Sequence, residues 1–259
     1  MVRSLLVRGM LVGLVAGLLA FAFGRLAGEP QVDRAIAFET AMDEAKAKVG
    51  AAKGMPAMGP EPELVSRDVQ AGFGLLTAVV VYSAALGGLF ALAFACAHGR
   101  VGNLRPRAAS ALLAFGGFVA LHVVPTLKYP ANPPAVGEPD TIGLRTGLYF
   151  LMMLISIIAA LLAVAAQRRL ASRLDGWSAT LLAAAGYLVV IVAADVLLPA
   201  VNEVPEEFPA DLLWRFRMAS LGMQMVMWTT IGLLFGAAAE KAMATRLRLS
   251  GQRLQPAVR

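Results

Sequence analysis

Six apolar stretches, each long enough to cross a bilayer, constrain this chain more than anything else in it: Leu5 to Phe23, Ala71 to Ala97, Ala108 to Val124, Leu144 to Ala166, Ser178 to Leu198 and Leu212 to Ala239. A hydrocarbon core of roughly 30 Å takes about 20 helical residues to span. Lipid offers no water to backbone N–H and C=O groups, so only helices or closed barrels can cross it. None of the six stretches alternates polar with apolar residues, which argues against a barrel. Composition agrees: 58% hydrophobic, 15% charged and mean hydropathy +0.69, outside the usual range of soluble domains. The expectation is an all-α polytopic membrane protein, a single transmembrane domain over residues 1–259 with six transmembrane helices arranged as helical hairpins. The lone cysteine, Cys96, excludes a disulfide framework.

Charge sets the expected orientation. Arg3, Arg8, Arg100, Arg105, Arg107, Arg168, Arg169, Arg173, Lys241 and the basic tail over 241–259 gather on one side of the proposed membrane. The positive-inside rule makes that side, with both termini, cytoplasmic. Of the 17 carboxylates, 14 then face outward against ten Lys and Arg, leaving the outer surface at −4. Such a surface concentrates cations modestly; the plainer reading is that acidic loops keep the exterior soluble. The tail suits an anionic inner leaflet, and nucleic acid is not an expected partner.

The first stretch, preceded by Arg3 and Arg8, has the look of a signal peptide, yet Gly9, Gly13 and Gly17 recur every fourth residue. Such a small-residue stripe lets a second helix approach closely, so the helix is expected to remain in the protein. Residues 29–68 form an expected extracytoplasmic loop. Pro30 can open a helix at its first turn, and an amphipathic helix over about 31–50 would put Val32, Ala35, Met42 and Val49 on one face with Glu39 beside it. GMPAMGPEPEL follows as a Pro/Gly linker carrying Met55 and Met58.

A faint internal repeat follows, in hairpins over 108–169 and 178–240. VALHV set over VAADV puts His122 opposite Asp195, each soon followed by a proline, then by an acidic loop and by Arg145 or Arg217. Doubled hairpins are a common build for transporters, with sites where the repeats meet. His122 and Asp195 are each the only ionisable residue in their apolar block. Such groups cost at least roughly 2.5 to 3.5 kcal/mol at membrane depth and usually face a bundle interior or a watery cavity. Asp195 reads either as a ligand or proton-coupled carboxylate in a cation path, or as an ion-pair partner of Arg217 or Arg215. His122 reads as a ligand or proton relay, or as an imidazole bonding across helices. Arg145 and Arg217, with Gln224, are candidates for the pathway or for ion pairs; the arginines alternatively snorkel toward lipid phosphates. Glu39, Asp140, Glu206, Glu207 and Asp211 would form an outer acidic vestibule.

Enzyme signatures are missing: no GxxxxGK[ST], HExxH or GxSxG occurs, and the chain is not expected to be an enzyme. GMLVGLVAGLLAFAFGRLAGEPQVDRAIAFE and LPAVNEVPEEFPADLLWRFRMASLGMQ resemble the CbtA family of bacterial cobalt transporters over nearly the whole chain. The resemblance implies cobalt uptake linked to cobalamin synthesis, a bacterial cytoplasmic (inner) membrane and a small histidine-rich single-span partner. It also implies five spans where six are read here. Divalent cobalt accepts mixed imidazole and oxygen ligands, so His122, Asp195 and Glu203 form the candidate metal set, the metal being cargo and no cofactor being bound tightly. The expected function is the membrane component of divalent-metal uptake through a polar layer; the alternative is a non-transporting scaffold or accessory component whose buried charges are structural.

Overall fold

Five of the six apolar stretches lie wholly within a longer helix, and the fifth, Ser178 to Leu198, overruns its helix by one residue. A computed structural model describes residues 2–53, 65–100 and 104–253, with side chains as far as Thr245. Met55, Met58 and the linker around them, and the end of the basic tail, lie outside the described residues. The helices are α1 (Val2–Ala52), α2 (Arg67–Ala97), α3 (Pro106–Lys128), α4 (Pro139–Leu170), α5 (Gly176–Leu197) and α6 (Ala210–Arg253). All six are long and apolar enough to cross a membrane. Among the described residues there is no strand.

The termini of these helices follow from local chemistry. Asp175 caps α5, its carboxylate accepting from the Ser178 backbone N–H at 3.0 Å. That bond also holds the exposed Asp175 carboxyl below its ordinary pKa. Pro30 does not open a separate helix: Glu29–Ala52 continues α1 directly after a π turn at Gly24–Gly28. A proline inside a helix lacks the N–H and crowds the carbonyl four residues back, and a preceding π turn absorbs that disturbance locally. The same device recurs in α3, where a π turn at Val119–Val123 precedes Pro125. A third π turn, Gln70–Gly74, lies near the start of α2.

The chain divides into two units, Met1–Glu29 with Pro62–Gly117 and Gly222–Arg259, and Pro30–Glu61 with Phe118–Leu221. The first is built on close approach of helices. The glycine stripe of α1 lies against α2: a Cβ on Gly17 would stand 2.8 Å from the Val80 Cα, one on Gly9 2.6 Å from the Ala91 Cβ, and one on Gly13 would strike the Ser83 backbone. Gly87 returns the contact against Gly9 and Gly13. Phe90, Phe94 and Phe235 pack edge to face, their centroids 5.4 and 5.2 Å apart. Arg107 of α3 pairs with Glu240 of α6, and Arg8 donates to the Ala238 carbonyl at 3.1 Å.

The second unit is held by larger side chains. Val124, Tyr129, Leu148, Met152 and Ala194 form its main core, joining α3, α4 and α5. A satellite core of Ala35, Val136, Phe208 and Leu212, with Phe38 edge-on to Phe208 at 5.1 Å, seats the polar extension of α1. Outward-facing Leu161, Leu162, Leu188 and Val189 are exposed, as befits residues whose solvent is hydrocarbon.

Candidate functional site: a polar cavity in the second unit

Two prolines pin the helices around a cavity. Pro125 cannot donate to the carbonyl of Leu121, and the Tyr149 hydroxyl of α4 takes that oxygen instead, at 3.4 Å. Pro199 likewise leaves the Asp195 carbonyl without a helical partner. Lys128, at the end of α3, donates its ammonium to it at 2.6 Å. Tyr129 completes the junction by donating to the Pro199 carbonyl at 2.8 Å. Each side chain thus supplies a donor to a backbone carbonyl at the junction.

The cavity so framed measures about 520 Å³ and is lined by His122, Thr126, Tyr129, Ala131, Asn132, Arg145, Thr146, Tyr149, Asn202, Glu203 and Arg217, among others. Gly137 positions Arg145. Its φ of +113° belongs to a region that favours glycine, and any Cβ there would collide with the guanidinium. Arg145 donates to the Glu138 carbonyl at 3.2 Å and lies 3.3 Å from the Glu203 carboxylate. Glu203, 14% exposed, also accepts the Glu138 backbone N–H at 2.8 Å. The Thr141 hydroxyl, that N–H and then the Arg145 charge hold its carboxyl below the ordinary glutamate value.

Arg217 enters from α6 and is bonded only by neutral acceptors: the Ala131 carbonyl at 3.3 Å and Asn132 Oδ1 at 3.0 Å. His122 sits in the π turn of α3, 8% exposed and stacked on Phe118 at 6.0 Å. Its Nε2 is buried without a hydrogen-bond partner. π turns often occur at functional sites, and this one carries the only histidine on the cavity wall.

Of the residues singled out from sequence, His122, Glu203, Arg145 and Arg217 line this one cavity. Asp195 does not. Its carboxylate pairs with neither Arg215 nor Arg217 among the described contacts; its charge, after burial, raises the pKa of Tyr129, which puts it beside that phenol. Gln224 belongs to the first unit. Glu39, Asp140, Glu206, Glu207 and Asp211 are exposed and none lines the cavity. Among the described residues no three of His, Cys, Asp and Glu come together closely enough to hold a metal ion.

Sequence reasoning passed over Asn132 and Asn202, which contribute amide groups to the wall. Each follows a Pro-Ala in the loop after a helix, PAN at 130–132 and PAVN at 199–202. It also passed over Glu29, which is buried and pairs with Arg67 in the first unit. None of the three arginines that begin an even-numbered helix is free: Arg67 meets Glu29, Arg145 meets Glu203 and Arg217 meets Asn132.

Residues 2–240 match the family model described as "Probable cobalt transporter subunit (CbtA)". No curated protein and no solved structure matches the chain.

Proposed function

The chain belongs to the CbtA family of probable cobalt transporter subunits, and from that premise we propose that the cavity of the second unit is its metal path. Cobalt is the proposed cargo, moving inward across a bacterial cytoplasmic membrane with both termini on the cytoplasmic side. The observation that carries this reading is the convergence of His122, Glu203, Arg145 and Arg217, drawn from three helices and a loop, on one cavity of about 520 Å³. Polar and ionisable groups are costly in an apolar bundle and are kept facing watery cavities and ion routes. On that wall His122 offers an unpartnered imidazole nitrogen, and Glu203 a carboxylate that a metal would share with Arg145 and the Glu138 N–H. A small histidine-rich single-span partner fits a chain whose described residues bring together no three such ligands.

Reconstitution of the purified chain in vesicles tests the path. Cobalt should enter faster than nickel or copper, and entry should respond to an imposed proton gradient. His122→Ala and Glu203→Gln should each lower entry at least about tenfold with unchanged insertion, whereas Asp195→Asn, lying off the wall, should lower it less. Equal entry for wild type and both wall variants would remove the cavity from the path.

A second reading has its own support in the absence of a three-ligand group among the described residues. In it the chain is a non-transporting scaffold whose charges fix helix register. It requires that vesicles holding this chain alone take up no metal, and that Arg145→Gln and Glu203→Gln destabilise singly but not further in combination.

A further inference from the structure

We propose that the cavity takes its metal as an anionic complex with a small polycarboxylate, and that Arg217 holds a carboxylate of that chelate. The proposal rests on the reading of the cavity as the metal path and names the form of its cargo.

The charge on the wall is the first support. Arg145 and Arg217 supply two guanidiniums and Glu203 one carboxylate, which is already ion-paired with Arg145 and accepts from the Glu138 N–H. What remains is Arg217. A guanidinium has five N–H donors, and among the described residues two hydrogen bonds from it are made, both to neutral oxygens of Ala131 and Asn132. A bare divalent cation entering here meets an uncompensated positive charge and no free carboxylate. An oxyanion meets a planar fork with donors to spare, the geometry for which arginine is suited.

Ligand number is the second support. No three metal-binding side chains converge among the described residues, so a metal held in this cavity would bring most of its ligands with it. His122, 8% exposed with Nε2 unpartnered, offers one imidazole nitrogen and no more. Size is the third. Six waters at about 30 Å³ each fill roughly 180 Å³ around a hydrated ion, well under the cavity's approximately 520 Å³. The surplus accommodates a chelate of citrate size.

Equilibrium dialysis with the full chain in nanodiscs tests this, using cobalt chloride in a non-coordinating buffer, citrate alone and equimolar cobalt–citrate as probes. Cobalt–citrate should bind at least tenfold more tightly than cobalt chloride. Arg217→Gln should lose that preference, Arg217→Lys should retain part of it, and Arg215→Gln, an exposed residue off the wall, should leave it intact. If Arg217→Gln does not fold, the wild-type preference for the complex decides alone. Cobalt chloride binding as tightly as the complex, or citrate stripping cobalt from the protein, would overturn the proposal. So would loss of cobalt–citrate binding when phosphatidylglycerol replaces phosphatidylcholine in the discs, since the oxyanion would then be a lipid headgroup. Vesicle uptake separates the two readings. Tight binding of the complex without entry sinks the metal path alone, and entry of cobalt that citrate suppresses sinks the chelate alone.

Discussion

In the first unit helices meet backbone to backbone, with Gly9, Gly13 and Gly17 against Val80, Ser83 and Gly87, and the buried Ser83, Ser110 and Glu29 have found partners, while His98 Nδ1 has none. Ser83 donates to the Met227 sulfur at 3.1 Å, Ser110 to the Gly232 carbonyl at 2.7 Å, and Glu29 is paired with Arg67. The second unit is joined instead by tyrosines and a lysine reaching to proline-freed carbonyls, and it keeps a cavity whose His122 Nε2 has no partner. Lipid gives helices no hydrophobic reason to associate, so close packing by small residues must supply the adhesion. Where long polar side chains take over that task, in the second unit, a cavity of about 520 Å³ remains. Adhesion and capacity are thus assigned to different residues.

The sharpest way to break that contrast is to add the same bulk to a glycine in each unit. Gly13→Leu would drive a side chain into the Ser83 backbone, which has no rotamer to change. Overpacking costs typically about 1–3 kcal/mol, more where backbone must move, and this variant should not accumulate as monodisperse protein. Gly186→Leu, on an open face of α5 with nothing within 4 Å, should melt within about 2 °C of wild type, surface changes being usually within about ±0.5 kcal/mol. Size-exclusion thermal melts in detergent compare the two; equal accumulation of both would mean that the glycine stripe is not what holds α1 to α2.

The stripe was legible in the sequence because a repeat of four is a local property of one helix. So were the spans, whose signal is length and apolarity. The cavity was legible only in part. His122 stood out as a lone charge in an apolar block and Glu203 as an acid in the facing loop, and both line the wall. Asp195 stood out by the same criterion and lies off it, because periodicity gives a residue's angle on its own helix and says nothing of the neighbour at that angle. Lys128, which the sequence did not single out, reaches the Asp195 carbonyl. Pro199, four residues on, held the clue, since a proline announces an unpartnered carbonyl one turn back. Arg217 was singled out opposite Arg145, but its acceptors, 85 and 86 residues away, left no local clue.

A smaller test asks how much a single hydroxyl contributes in each unit. Ser110→Ala removes a short, buried bond to the Gly232 carbonyl, whereas Tyr149→Phe removes a long one to Leu121. Hydrogen bonds between membrane helices average about 0.6 kcal/mol and reach about 1.7. Ser110→Ala should therefore lower the melting temperature by roughly 2–4 °C, and Tyr149→Phe by less. Tyr149→Phe should still slow metal entry, because its oxygen lies on the cavity wall. The reverse order of stabilities would mean that the second unit depends on its polar contacts more than the first does.

The least effect is expected at Glu203, and its sign follows from the contacts. Its carboxyl is held below the ordinary value by the Thr141 hydroxyl, the Glu138 N–H and Arg145, in that order. The unfolded chain therefore binds a proton more readily than the folded one. Stability from these contacts is complete above the ordinary glutamate pKa of about 4.3 and is lost as pH falls through the lower folded value. Hydrogen exchange over residues 200–208, corrected for intrinsic rate, should be unchanged between pH 7 and 5 and rise below about pH 4. Glu203→Gln should flatten that profile and start from faster exchange at pH 7. Arg145→Gln distinguishes the causes. If hydrogen bonds lead, as their order indicates, the acid transition moves upward only slightly. A transition moved all the way to the ordinary value would mean that the guanidinium alone sets it, so that Arg145 and Glu203 neutralise each other and the charge of Arg217, bonded to neutral oxygens, is left over.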